Sequence, residues 1–158
     1  MTRTISATDT AKLVRAALKS AFPGTRFSVR TASSRGGAAI HVSWMDGPAY
    51  DAVAAVARDY EGASFDARID LKSPHPRVMN GELVQLMADF VLLHRTFSGE
   101  ALRAAAAEVA RRYDVPVAQI AVDEWGARVA DPEAEHRRIG NDYHAWVVVR
   151  TAQDRAFA

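Results

Sequence analysis

The sequence predicts an α+β protein, an antiparallel sheet packed against helices in the order α-β-β-α-β and then β-α-β-β. Three observations predict it. Residues 9–22 place Leu13, Val14, Ala17, Leu18, Ala21 and Phe22 at three- and four-residue steps, which makes one apolar stripe on a helix. Residues 26–31 and 38–44 instead alternate apolar and polar side chains, the period of a strand with one buried face. Ser33–Gly37 supplies the turn between those two strands, and so short a connection makes an antiparallel hairpin.

Taken in order, the first helix can be capped by Thr8 or Asp9 and is ended by Pro23-Gly24. Lys12, Arg15 and Lys19 share another of its faces. A solvated face with snorkelling stems is the plainer account, and contact with phosphates through Lys12 and Lys19 is the sharper one. In the hairpin, Phe27, Val29 and Thr31 point one way, and Ile40, Val42 and Trp44 share a face on the second strand. The outer face then offers Arg26, Ser28, Arg30, His41 and Ser43, with Arg35 at the tip beside Gly36-Gly37. Asp46-Gly47-Pro48 breaks the strand and launches a helix over 49–61, with Tyr50, Val53, Ala57 and Tyr60 at helical spacing and Gly62 at its end.

Ser64–Lys72 alternates again, with Phe65, Ala67, Ile69 and Leu71 inward and Asp66, Arg68, Asp70 and Lys72 outward. This third strand is expected to complete the central sheet beside the hairpin, where its carboxylates can pair with the hairpin arginines. Ser73-Pro74-His75-Pro76 is the candidate boundary. It separates a 1–73 module from a 74–158 extension packed with it, or lies within one continuous domain. Glu82–Thr96 fits a helix through Leu83, Leu86, Met87 and Phe90, and a buried strand through Phe90–Leu93. Ser98 caps a helix that runs to Tyr113. Val117–Val122 and Tyr143–Thr151 read as strands, and Asp131–Asn141 is too polar for core, a loop or short helix. Helix, strand, strand at 9–45 is echoed in element order at 99–151, without matching residues.

The net charge of +1 gives no global signal for nucleic acid or membrane, but its distribution is uneven. Residues 1–45 carry seven basic side chains against Asp9 alone, a net of +6, which leaves −5 for the rest. The chain has no cysteine, which excludes disulfides and thiolate chemistry and suits a reducing compartment. No apolar signal core opens the sequence and no run of 18 apolar residues interrupts it. A cytoplasmic location without membrane contact is the expectation; oligomeric state cannot be read.

Motif chemistry is sparse. HxH, HxxxH, HExxH, GxSxG and GxxxxGK[ST] are all absent. A metal site from His41, Asp66 and Asp70 has no ligand spacing on one element to support it, so neither metal nor cofactor is expected. Asp123-Glu124 and Glu133/Glu135 are most simply solubilising charge. The better case is phosphate contact by Arg26, Arg30, Arg35 and His41, although the wet face of the hairpin carries no aromatic side chain for base stacking. His144, Trp146 and Arg150 share one face of the last strand and are the candidate protein interface; core packing is the simpler role for Trp125 and Trp146.

AFPGTRF at 21–27, FSVR at 27–30, the Gly36-Gly37 turn, VSWMDGP at 42–48 and FDARIDL at 65–71 form a spaced set. Together they resemble a large polyvalent protein-associated domain family, the twenty-ninth of its numbered series. The resemblance covers residues 9–72 and extends through HRTFS at 94–98, which favours a strand before Ser98. It implies a mobile-element context, since such domains occur in long proteins of phages and conjugative elements, and a role alongside transferred DNA. It carries no catalytic residue. The expected function is a non-enzymatic accessory module that binds DNA or a host protein complex. The alternative is a small enzyme acting on nucleic acid through His41 with Asp66 or Asp70.

Overall fold

The computed structural model describes residues 2–35, 37–114, 116–123 and 126–129. The chain divides into two compact units, Met1–Trp44 with Tyr50–His94, and Met45–Ala49 with Arg95–Ala158. The fold is α+β, as the periodicities predict.

In the first unit, β1 (Arg3–Ile5) leads into α1 (Ala7–Ala21). The helix cap is Ser6, ahead of the Thr8 or Asp9 expected. The Ser6 hydroxyl accepts from the Asp9 N–H at 3.1 Å and donates to the Asp9 carboxylate at 2.7 Å, which satisfies an amide left open at the helix start. Asp9 in turn pairs with Lys12 at 2.8 Å. α1 buries Ala11, Val14 and Leu18 against β2 (Ser28–Ser34) and β3 (Gly37–Met45). The shared core holds Val29, Ile40, Val42 and Trp44 from these strands, Val53 and Ala57 from α2 (Tyr50–Ala57), and Ala88 and Val91. Each fully buried Val, Leu or Ile is worth about 1.5–3 kcal/mol of transfer free energy. A row of rings runs through this core: Phe22 to Phe27 at 6.0 Å, Phe27 to Trp44 at 5.8 Å, and Trp44 to Tyr50 at 6.3 Å between centroids. Arg58, in the short 3₁₀ turn after α2, closes the row over the Tyr50 ring.

The central sheet is ordered β2-β3-β8, with β8 at Phe90–Thr96. This corrects the expected third strand. Ser64–Lys72 is not one strand but the end-to-turn portion of a separate hairpin, β4 (Ala63–Asp66) with β5 (Leu71–Pro74). Asp66 Oδ1 accepts from the Arg68 N–H at 3.0 Å and Asp70 has a φ of 50°, so an Asx turn interrupts the alternation. Ser73-Pro74-His75-Pro76, the candidate boundary, falls inside the first unit.

The ambiguous stretch Glu82–Thr96 is two strands, β7 (Glu82–Leu86) and β8. β7 pairs antiparallel with β6 (Arg77–Met79) and parallel with β1. The β6–β7 turn is Asn80-Gly81, both at positive φ (51° and 82°), as a two-residue hairpin requires. Gly62 lies where strands converge. Its N–H donates to Ala88 O at 2.7 Å, and a Cβ there would fall on the Leu86 carbonyl oxygen.

In the second unit, α3 (Gly99–Tyr113) starts at Ser98, whose hydroxyl accepts from the Ala101 N–H at 3.2 Å. It ends at Asp114 in the left-handed region. Ala101, Ala105, Ala106, Val109 and Ala110 are buried, and α3 packs on the hairpin of β9 (Ile120–Asp123) and β10 (Gly126–Val129). The strand expected at Val117–Val122 begins later, because Pro116 is followed by a 3₁₀ turn over Val117–Gln119. The strand expected at Tyr143–Thr151 and the polar excursion at Asp131–Asn141 lie outside the described residues.

Candidate nucleic-acid interface

The β2–β3 ladder fixes the outer face. Arg30 stands opposite His41, and Ser28 opposite Ser43. Their neighbours Val29, Ile40, Val42 and Trp44 are in the core, so alternation turns Arg30 and His41 outward, and both are exposed. Arg26 is exposed just before β2, and Arg35 is exposed in the turn. Among the described residues, no hydrogen bond or ion pair is made by the side chains of these four. Strands 28–34, 37–45 and 90–96 contain no Asp or Glu.

The acidic stretch expected as the third strand does not pair with this sheet. Asp66 is held by Arg68 through its side chain at 2.9 Å and its backbone N–H, which keeps the carboxyl below the usual carboxylate range. No strand pairing sets Asp66 or Asp70 beside His41, and no hydrogen bond joins them. Among the described residues, no group of three His, Asp or Glu side chains is placed to hold a metal ion. One carboxylate does sit at the hairpin turn. Asp89 occupies the space a Cβ on Gly37 would fill, and its charge is met by Lys72 at 3.0 Å. That contact explains the glycine, whose φ is 140°.

Lys12 and Lys19 do not join the face. α1 covers the apolar side of the sheet, so its exposed cations belong to the helix layer. Arg15 has a structural task, donating to Val29 O at 2.9 Å and covering an open carbonyl of the edge strand β2. His144, Trp146 and Arg150 lie outside the described residues.

The motif letters outside the face are spent on folding. In the second unit, Asp46 and Gly47 turn the chain at φ 53° and 57°. Arg95 donates to Asp46 O at 3.0 Å and Gly47 O at 2.9 Å, and its guanidinium stacks 4.9 Å over Phe97. The Asp46 carboxylate accepts from the Ser98 N–H at 2.8 Å. MDGP and HRTFS are thus two halves of one clasp at the start of α3.

The sequence missed the side chains that β8 adds. Val91 and Leu93 pack on the core, so Phe90, Leu92 and His94 take the outer side. The signal was the alternation inside Phe90–His94, hidden within an apolar run.

No curated protein and no solved structure matches the chain. A family model does match, over residues 5–98. That span includes the whole β2-β3-β8 sheet, the row of rings and both halves of the clasp. The chain belongs to the family described as large polyvalent protein associated domain 29.

Proposed function

We propose that this domain is a non-enzymatic accessory module of a mobile-element protein, and that it binds nucleic acid through the outer face of the β2-β3-β8 sheet. One observation carries the proposal. Arg26, Arg30, Arg35 and His41 line an exposed face whose three strands hold no acidic residue. Cations left without protein partners are free to neutralise phosphates and release their counterions. The family's mobile-element setting, with its transferred or invading DNA, supports the same ligand class.

The test is a salt titration of DNA retention. Binding of the 158-residue chain should weaken steeply with salt. Arg26→Ala with Arg30→Ala should flatten the slope of log K against log salt by about 0.9 per lost phosphate contact. No retention at low salt sinks the proposal.

Exposed apolar side chains favour a second reading, contact with a host protein complex. Val78 and Leu83 face each other across the β6–β7 ladder, and Val78 is 71% exposed. A module that works this way keeps its partner when Arg26 and Arg30 are changed and loses it in Val78→Asp.

A further inference from the structure

β8 gives the sheet a composition that the hairpin alone lacks. Phe90, Leu92 and His94 stand on its outer side, with Leu92 49% exposed and His94 exposed. Phe90 is half-buried and is not among the side chains packed on the core. The Asp89 N–H donates to Ala38 O, which sets the start of β8 beside the start of β3. The Asp46 N–H donates to Thr96 O at the far ends, so the two strands run the same way. Phe90, Leu92 and His94 therefore follow the same course as Ala39, His41 and Ser43. Across β3 on the other side, Ala32, Arg30 and Ser28 stand opposite those three residues. One flank of the face is thus aromatic and apolar, its middle carries His41, and its other flank is cationic. Ala32, Ala39, Ser28 and Ser43 keep the surface shallow between the larger side chains.

We infer that this face takes single-stranded nucleic acid. The inference rests on the nucleic-acid reading above and names its ligand class. Flat rings and apolar surface accept the faces of unpaired bases, and guanidinium groups at the flank meet the backbone phosphates. A duplex keeps its base faces inside its own stack and offers the rings nothing. DNA and RNA share this chemistry, so strand type is decided by experiment.

The experiment measures fluorescence anisotropy of a labelled oligothymidylate of about 16 nucleotides, the matching oligouridylate, and a duplex of equal length. The full chain is used at one salt concentration. The single strands should bind at least about tenfold more tightly than the duplex, as expected when stacking adds to phosphate contact. His41→Ala and Phe90→Ala should each weaken single-strand binding about tenfold and leave the duplex within about twofold. Oligothymidylate and oligouridylate bound alike, or one preferred, both fit the inference. A duplex bound as tightly as the single strands overturns it and leaves the nucleic-acid reading standing. Single-strand binding unmoved by His41→Ala, an exposed position whose change leaves the core intact, also overturns it. If neither form binds at low salt, both proposals fall.

Discussion

In the β2–β3 hairpin the apolar side chains Val29, Ile40, Val42 and Trp44 are buried, and Arg30 and His41 are exposed, their side chains making no hydrogen bond or ion pair among the described residues. The β4–β5 hairpin reverses this. Phe65 and Ile69 are 52% and 66% exposed, while its Arg68 is closed onto Asp66. Both stretches alternate in sequence. The difference lies in what stands against them. α1 and α2 cover the first hairpin and bury a full face. β4–β5 forms a two-stranded sheet of its own, with four residues in each strand and its ends turned by Asp66 and Asp70. Alternation states which side chains share a face. Only a second layer decides which of the two faces is dry.

The sharpest way to break this comparison is to remove one ring from each hairpin. Trp44→Ala should cost about 3–5 kcal/mol, because it empties the middle of the ring row. Phe65→Ala should change stability by about 0.5 kcal/mol or less. Urea unfolding of both variants measures this, and equal losses would show that the β4–β5 hairpin is packed as tightly as the core.

A middle-sized effect separates the clasp from the open face, which lie in the same family span. Asp46→Ala removes the acceptor of the Ser98 N–H and leaves alanine at a φ of 53°. The expected cost is about 1–3 kcal/mol. Arg30→Ala should stay within about 0.5 kcal/mol. The same denaturant curves check both, and a silent Asp46→Ala would mean that the DGP letters serve something other than the fold.

These contrasts show what the sequence carried and where it stopped. The α1 stripe, the hairpin faces, the Ser98 cap and the α3 helix follow from spacings within one element, and periodicity reads those directly. The Asn80-Gly81 turn is equally local, but the apolar run after it fits both a helix and a strand, so periodicity does not decide that a hairpin surrounds the turn. The neighbour of β3 was not local. It comes from Phe90, far along the chain, and nothing in Ser64–Lys72 announces that its Asx turn will end the strand early. The candidate site inherits that limit. Arg30 beside His41 was legible from hairpin geometry, while the surroundings of His41 depended on a pairing that sequence spacing does not encode. The sequence predicts an acidic third strand beside the hairpin, and β8, with Phe90, Leu92 and His94 on its outer side, takes that place.

The smallest effect tests that missing neighbour from the acid's side. Asp66 titrates below its ordinary range, chiefly because the Arg68 side chain donates to it and secondly because the Arg68 N–H does. A carboxyl lowered in the folded state adds stability above its unfolded value of about 3.9, and that contribution is lost as pH falls through the lower folded value. Local order in the β4–β5 turn should therefore begin to loosen below about pH 4, while global stability barely changes, because the pair is solvent-exposed and screened. Carboxyl NMR titration reads this directly. In Arg68→Ala the Asp66 value should rise toward the ordinary one, since the principal donor is gone. In Arg30→Ala it should not move at all. A shift in the second variant would put the acid back beside the basic face, and the charge argument for an open nucleic-acid surface would fail with it.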